Sequence, residues 1–108
     1  RVGAGAEPIR THAGWLAIYH GADSANRYCL GALLLDADDP SRVLARSVDP
    51  IMEPTADYET QGFFGNVVFT NGHVVDGDRV TVYYGASDNF VCGARFSIRE
   101  VLASLGIR

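Results

Sequence analysis

Two apolar stretches of the chain follow the same pattern and end in the same short phrase. They read GWLAIYHGADS, from Gly14 to Ser24, and DRVTVYYGASD, from Asp78 to Asp88. At an offset of 64 residues their apolar positions coincide, and so do the Tyr-x-Gly-Ala phrases, with His20 in the first copy where the second has Tyr84. Extended apolar segments of this length predict β-strands, so the chain contains an internal repeat of strands.

Further strand-like segments, joined by turn chemistry, surround each copy. The segments YCLGALL (28–34) and FVCGARF (90–96) follow the two copies, and each carries a cysteine close to a Gly-Ala pair. The Asp76-Gly77 dipeptide predicts a hairpin just before the second copy, and a brief strand is expected at Val43 to Arg46. The predicted repeat units span about 7–35 and 66–97, with a connecting segment at 36–65 that is rich in Asp, Pro and Glu.

The end of the chain has a different period. Ser97 and Glu100 have the spacing of a capping box, and Gly106 is a typical helix stop. A short helix is therefore predicted over about 98–105, with one apolar face made of Ile98, Val101, Leu102 and Leu105.

A repeat of strands without long amphipathic helices predicts an all-β fold, part of a β-propeller containing about two blades. Blades often run about 40–50 residues, so the longer offset implies long loops. We expect residues 1–108 to form one partial domain. Two blades cannot close a ring, so either further blades lie outside this sequence or copies of the chain associate into a homo-oligomer.

Composition narrows the classes of function. The chain has 108 residues, 47% of them hydrophobic, and a formal net charge of -4 with no run of Lys or Arg, which argues against nucleic acid or an anionic membrane surface as a partner. No apolar run approaches the roughly 18 residues of a membrane span, so a cytoplasmic protein is expected. Cys29 and Cys92 lack metal-ligand spacing and are expected to be buried, and no metal or organic cofactor is predicted.

Polar residues at the ends of the repeated strands are the candidates for chemistry. His20 could meet an anionic substrate, but one histidine makes no site, so spacing alone favours a structural role. Asp23 and Asp88 follow the two Tyr-x-Gly-Ala phrases, where a carboxylate could accept from sugar hydroxyls or could cap its own turn. His12 and His73 are expected to be structural or solvent-facing.

Several phrases in order resemble the C-terminal part of glycoside hydrolase family 130, the β-mannoside phosphorylase family. They are VGAGAEPIRTHAGWLAIYHGA, YCLGALLLDADDPSRVLARSVDPIMEP, GFFGNVVFTNGHVVDGDRVTVYYGASD and CGARFSIREVL, which cover nearly the whole chain. The resemblance implies a five-bladed β-propeller in which inorganic phosphate, a co-substrate, attacks the anomeric carbon of a β-mannoside with inversion and gives mannose 1-phosphate. It also implies that the general acid, an Asp, and an arginine pair for phosphate lie upstream, so no catalytic residue is expected in this chain.

The resemblance assigns phosphate-side roles to three residues. His20, in the Tyr-His-Gly phrase, corresponds to a phosphate ligand, and Tyr28 corresponds to an aromatic residue near the phosphate and acceptor side. Arg1 stands where many relatives have a Lys that reaches the sugar and phosphate region. An Arg keeps the charge but brings a planar fork, which changes the fine geometry.

Sugar-side roles follow from the same resemblance. Asp88 corresponds to the carboxylate that holds the mannose. Phe63, Phe64 and Asn66, in the phrase GFFGNVVF, resemble a loop that lines the acceptor side.

Three functional hypotheses stay open at this point. The first is the C-terminal part of a β-mannoside phosphorylase, which His20 favours because a phosphate dianion needs positive or hydrogen-bonding partners. The second is a phosphate-independent β-mannosidase of the same fold. The third is a non-catalytic half-propeller that binds sugars or self-associates. The 108 residues alone are expected to be inactive, since the acid is not among them.

Overall fold

The structure, a computed structural model, describes residues 1–107; Arg108, the last residue of the predicted domain, lies outside the described residues. Two antiparallel sheets contain nearly all of the regular structure. Sheet A comprises β1 (Val2–Ala4), β2 (Ile9–Thr11), β3 (Gly14–Ala22), β4 (Tyr28–Leu35) and β5 (Val43–Arg46). Sheet B comprises β6 (Val68–Asp76), β7 (Arg79–Ala86) and β8 (Phe90–Ser97), and two short helices are α1 (Asp57–Thr60) and α2 (Ile98–Ser104).

Sheet A has the order β1-β3-β4-β5, and β2 also pairs with β3. The strands β1 and β2 pair with successive parts of β3, from Val2 opposite Gly21 to Thr11 opposite Gly14. They therefore act as one interrupted strand. Counted in this way, the sheet has four strands, as a propeller blade has. The predicted strand at Val43 to Arg46 is confirmed as β5, and it pairs with β4 as part of the first sheet.

Sheet B has the order β6-β7-β8. The hairpin predicted at Asp76-Gly77 is present, because Asp76 pairs with Arg79 and Gly77 has a φ of 60°. Helix α2 follows β8 directly. Within residues 1–107, no further strand pairs with the outer edge of β8, whereas in sheet A β5 pairs with the outer edge of β4.

The internal repeat corresponds to equivalent strands in the two sheets. Along β3 the inward-facing Leu16 and Ile18 are buried, and along β7 Val80 and Val82 are buried in the same way. On the opposite face, a tyrosine in each repeat pairs with a glycine on the next strand, Tyr19 with Gly31 and Tyr83 with Gly93. The residues that the two repeats share therefore specify the same strand arrangement in both sheets.

The core lies between the sheets and under α2. It is formed by buried apolar side chains from β2, β3, β4, β6, β7 and α2, namely Ile9, Leu16, Ile18, Leu30, Ala32, Leu34, Val68, Val80, Val82, Tyr84, Ala86, Ile98, Val101 and Leu102. The predicted cap of α2 is confirmed, since the Ser97 hydroxyl accepts from the Glu100 amide at 3.2 Å, and Gly106 has a φ of 85°.

Two elements were not expected from the sequence. Strand β1 lies before residue 7, outside the predicted first unit, and extends the first sheet to Val2. Helix α1 is a single turn inside the connecting segment, which its composition predicts to be irregular. Glu59 in this turn is buried, and its carboxylate accepts from the Tyr84 hydroxyl on β7, so a tertiary contact rather than helix propensity stabilises α1.

The two sheets approach closely where the interrupted edge strand of sheet A passes β6. At Gly5, an added Cβ would lie 2.4 Å from Cγ2 of Thr70 and 2.5 Å from the backbone oxygen of Ile18. Distances this short are not tolerated by a real side chain, and a backbone oxygen cannot rotate away. Gly5 therefore permits the packing of sheet A on β6.

Gly5→Ala should destabilise the intact protein by about 1–3 kcal/mol, because the new methyl group must displace backbone or Thr70. Gly72→Ala is the control: Gly72 lies on β6, and nothing lies within 4 Å of an added Cβ. Thermal and denaturant unfolding of both variants measure the difference. Equal stability of the two variants would contradict the close approach.

Candidate functional site

The candidate site lies at the end of the fold where the two sheets meet. A narrow cleft of about 120 Å³, called the aromatic cleft below, is lined by Tyr28, Phe64, Val67, Phe69 and Asp88. His20 lies beside it, since its ring contacts that of Phe69. The structure therefore brings together four of the residues singled out by the sequence, namely His20, Tyr28, Phe64 and Asp88.

His20 lies on the inward face of β3, near the end of the strand. Its ring is 3.9 Å from the Phe69 ring and 6.3 Å from the Tyr28 ring, measured between centroids. It also lies against the backbone of Gly3, where an added Cβ would be 2.2 Å from Nε2 of His20. Burial disfavours the imidazolium form and lowers the pKa of His20 below its ordinary value.

One ring nitrogen of His20 is buried without a partner. Its Nδ1 atom makes no hydrogen bond among the described residues. A buried polar atom left unpaired is costly, and such atoms are found where a ligand or an ordered water completes the site. This environment suits a ligand that brings its own hydrogen-bonding group.

Tyr28 connects the two sheets and contributes a wall of the cleft. Its amide donates to the backbone oxygen of Asn66 at 3.0 Å, and it forms an isolated parallel bridge with Val67. Its ring meets Phe64 edge-on, with centroids 6.3 Å apart, and lies 6.1 Å from Phe69. Aromatic walls of this kind offer flat apolar faces to a ligand such as a sugar ring.

The loop before β6 presents its residues unequally. Phe64 lines the cleft and is 40% exposed, whereas Phe63 extends into solvent and is 87% exposed. Asn66 has a φ of 62°, and its backbone oxygen accepts from the Tyr28 amide. Of the three residues expected to line the acceptor side, Phe64 is the one whose side chain reaches the cleft.

The two repeated carboxylates have different surroundings. The Asp23 side chain accepts from its own turn, at 2.9 Å from the Ala25 amide and 3.0 Å from the Arg27 amide. Asp88 instead lines the aromatic cleft. The turn interpretation therefore holds for Asp23, and Asp88 remains available to a ligand.

The backbone at Asp88 has an uncommon conformation. Ser87 and Asp88 both have positive φ values, 49° and 53°, and the Asn89 amide closes the turn on the Ala86 oxygen at 3.0 Å. Two consecutive positive φ angles are typical of a type I′ turn, which prefers Asn and Gly. Non-glycine residues there cost of order 1–3 kcal/mol each, and such strain clusters at functional sites.

A buried carboxylate just behind the cleft was not identified from the sequence. Glu59 is only 3% exposed, and it accepts from the Tyr84 hydroxyl and from the amides of Thr55 (3.0 Å) and Ala56 (3.2 Å). Burial opposes ionisation, but the hydrogen bonds from Thr55, Tyr84 and Ala56 outweigh it and hold the pKa of Glu59 below its ordinary value. Burial and the bond to Glu59 raise the pKa of Tyr84 far above its usual range.

The remaining candidates lie around the cleft or away from it. Arg1 is exposed, and its backbone oxygen accepts from Ala22 at 2.8 Å, which places it at the His20 end of β3. Arg27, which follows the Asp23 turn, pairs with Glu53 at 2.7 Å. His12 is exposed, and His73 lies 3.8 Å from the Glu7 carboxylate. These two histidines agree with the structural or solvent-facing roles expected of them.

The cysteine prediction needs a correction. Cys29 and Cys92 were expected to be buried, but both thiols are free and only half-buried. Each lies near the end of a strand close to the loops, where packing is less complete than in the strand centres. Burial of the Cys29 side chain still raises the pKa of its thiol.

Two absences concern residues 1–107 only. In this part of the chain there is no cluster of three or more His, Cys, Asp or Glu side chains that could hold a metal ion. Neither α1 nor α2 has the length and apolarity that crossing a membrane requires.

Phe69, like Val67, lines the cleft but is not among the candidates that the sequence indicates. It lies on β6 between the buried residues Val68 and Thr70, so its side chain points to the other face of the strand. Strand alternation alone would mark it as an outward-facing residue. Its contact with His20 depends on the packing of sheet B against sheet A.

Comparison with known families and proteins agrees with this architecture. The model of glycoside hydrolase family 130, described as beta-1,4-mannooligosaccharide phosphorylase, matches residues 1–106. The chain belongs to glycoside hydrolase family 130. The beta-1,2-mannobiose phosphorylase of Listeria innocua is 50% identical over 107 residues, which is 99% of this chain and 30% of the relative. A beta-1,4-mannooligosaccharide phosphorylase of Ruminococcus albus is 37% identical over 94% of this chain and 32% of its own length.

Solved structures agree with the predicted fold. The structure of the Listeria innocua beta-1,2-mannobiose phosphorylase in complex with beta-1,2-mannobiose covers all of this chain with a TM-score of 0.97 and 50% identity, and the match spans 31% of that protein. The prediction of a partial β-propeller with a short C-terminal helix is confirmed. The chain spans about a third of the length of the relatives it matches.

The unliganded His20 should titrate below pH 6.5, its ordinary value, because burial disfavours its charge. Folding lowers this pKa, so the stabilisation from His20 is complete above pH 6.5 and is lost as the pH falls through the lowered value. An NMR titration of the ring, assigned by comparison with His20→Gln, measures it. Phe69→Ala admits water to the ring and should move the midpoint upward. A midpoint at or above 6.5 in the unsubstituted protein would contradict the burial argument.

Proposed function

We propose that the intact protein to which these residues belong is a β-mannoside phosphorylase. In this reaction an oxygen of inorganic phosphate attacks the anomeric carbon, the glycosidic bond breaks, and the leaving oxygen takes a proton from the general acid. The products are mannose 1-phosphate, with inverted configuration, and the shortened sugar. The observation that carries the proposal is His20, with its unpaired Nδ1, beside an aromatic cleft that ends at the Asp88 carboxylate.

The phosphate side of the site would comprise His20, Arg1 and Tyr28. A phosphate dianion beside His20 favours the imidazolium and so would raise the pKa that burial lowers. Arg1 adds a second cationic group at the same end of β3, next to Ala22 in the sheet. Together they would offset charge in a partly dry site, where electrostatic interactions are stronger than in water.

The sugar side would comprise Asp88, Phe64 and Asn66. The Asp88 carboxylate can accept from two vicinal hydroxyl groups of a mannose residue, and charged acceptors make stronger hydrogen bonds than neutral ones. Phe64 offers an apolar face in the same cleft. Asn66 supports this side through its backbone bond to Tyr28.

We further propose that the linkage cleaved is β-1,2. The relatives named beta-1,2-mannobiose phosphorylase or 1,2-beta-oligomannan phosphorylase are 46–50% identical to this chain. Those named for β-1,4-linked substrates or 4-O-beta-D-mannosyl-D-glucose are 37–38% identical. This difference supports the β-1,2 assignment.

A phosphate-independent mannosidase is the second candidate. One similar solved structure, with a TM-score of 0.82 and 30% identity, comes from work on GH130 glycoside hydrolases. Those hydrolases target beta-1,2 mannosidic linkages in Candida mannan, within a family of mannoside phosphorylases. Water as the nucleophile would not need a cationic partner at His20, so the retained histidine favours phosphorolysis.

The intact protein should release mannose 1-phosphate from β-1,2-mannobiose only when inorganic phosphate is present. With β-1,4-mannobiose the value of kcat/KM should be at least about tenfold lower, since a changed linkage misplaces the acceptor sugar. Chromatography of the products with and without phosphate measures both. Equal turnover without phosphate, giving free mannose, would replace this proposal with the hydrolase; preference for the β-1,4 disaccharide would overturn the linkage.

Substitutions at His20 and Asp88 should separate the two sides of the site. His20→Gln should raise the KM for phosphate by about 10- to 100-fold, and Asp88→Asn should do the same to the mannoside, because each removes a charge-assisted hydrogen bond. The other KM should change little in each case. Asp23→Asn is the matched control for Asp88, since the Asp23 carboxylate caps its own turn. An unchanged phosphate dependence in His20→Gln would remove His20 from the site.

A further inference from the structure

The buried pair formed by Glu59 and Tyr84 lies outside the residues assigned to the site. Both side chains are almost fully buried, and the Tyr84 hydroxyl donates to one oxygen of the Glu59 carboxylate. The other oxygen accepts from the amides of Thr55 and Ala56. A buried carboxylate with all these partners is a rigid anchor, because breaking any one bond leaves a buried polar group without one of its hydrogen bonds.

Glu59 is also the base of the loop that carries Phe64. The Val67 amide donates to the backbone oxygen of Glu59 at 3.0 Å, so the chain leaves the α1 turn and returns to it. At Gly65 an added Cβ would lie 2.6 Å from the backbone oxygen of Thr60, which shows how tightly the loop closes on this turn. The six residues 61–66 therefore form a short loop. It starts just after the α1 turn that contains Glu59 and ends at Val67, which is bonded to Glu59.

The tip of the same loop rests on the turn that presents Asp88. The Phe64 amide donates to the Ser87 oxygen at 3.1 Å, and the Ser87 amide donates to the Val67 oxygen at 3.0 Å. An added Cβ at Gly62 would lie 2.7 Å from Cβ of Ser87. Loop and turn are thus in direct backbone contact.

These contacts connect Glu59, the loop, the Ser87-Asp88 turn and Tyr84 to one another. Strand β7 carries Tyr84 and leads directly into the Ser87-Asp88 turn, while Glu59 anchors the loop whose tip bonds to Ser87. Phe64 is 40% exposed, so core packing does not by itself fix its position. The pair joins the base of the loop to the strand that presents the carboxylate, and this sets the separation of Phe64 and Asp88 across the cleft.

We propose that Glu59 and Tyr84 are positioning residues for the sugar: they hold the loop at residues 61–66 so that Phe64 and Asp88 face the same mannoside. The identity of that ligand rests on the proposed function. Neither residue touches the sugar; the effect on binding comes from presenting the loop already ordered, which spares the entropy of ordering it on binding.

Tyr84→Phe in the intact protein tests the proposal, with Tyr83→Phe as the matched control. Tyr83 is the preceding residue on β7, points to the opposite face and is 45% exposed, so its hydroxyl is lost without touching Glu59. Tyr84→Phe should raise the KM for the mannoside by about 5- to 10-fold, the equivalent of one hydrogen bond, and leave the KM for phosphate unchanged. Hydrogen exchange at the Phe64 amide should become faster in Tyr84→Phe and stay unchanged in Tyr83→Phe.

Glu59→Gln is the conservative variant and covers the case in which Tyr84→Phe does not fold. The glutamine keeps an oxygen for the two backbone amides, so its effects on exchange and on the KM for the mannoside should be smaller but in the same direction. A purely structural role would lower the melting temperature and leave the KM for the mannoside unchanged in folded protein at lower temperature, and this result would overturn the proposal. Unchanged exchange at Phe64 would overturn it as well.

Failure of the proposed function is distinguishable from failure of this inference. If the unsubstituted protein does not turn over β-mannosides, the proposed function fails and the positioning role for a mannoside falls with it. Exchange at the Phe64 amide then still decides whether the pair orders the loop. If the unsubstituted protein is active and Tyr84→Phe matches it in KM, only the inference fails.

Discussion

The two sheets are joined where β4 begins, beside the residues that lead into β6. The junction combines a shared apolar core with a parallel bridge between Tyr28 and Val67, reinforced by the bond from the Tyr28 amide to Asn66. This bridge fixes the start of β4 against the residue that precedes β6. As a result Phe69 packs on His20, and the cleft opens between strands far apart in sequence. The candidate site is therefore a property of the interface between blades and not of either blade alone.

The repeat shows how one scaffold position has taken two tasks. His20 and Tyr84 occupy equivalent places on β3 and β7, each on the inward face near the strand end. Around Tyr84 the site is closed, because Glu59 accepts from its hydroxyl and both groups are buried. At His20 the polar group is not satisfied, since the buried Nδ1 lacks a partner among the described residues. The Tyr84 copy holds the connecting segment through Glu59, whereas the His20 copy keeps a buried polar atom without a hydrogen bond.

Sequence reasoning succeeded where the determining forces are local. The hairpin at Asp76-Gly77 and the cap at Ser97 are set by residues within a few positions of each other. It failed for α1 and Phe69, because one turn of helix needs the buried Glu59 contact and the Phe69 ring is placed by packing between sheets. The site residues themselves came from family resemblance; spacing alone pointed to a structural role for His20.

The positive φ angles at Ser87 and Asp88 carry a consequence for how this protein can evolve. An Asn-Gly pair would suit such a turn better, so selection for heat tolerance alone favours losing the carboxylate from the cleft. A more stable turn and a carboxylate in the cleft therefore compete for the same two codons. A variant that keeps Asp88 keeps the strained turn with it, and this turn is the one on which Gly62 packs through Ser87.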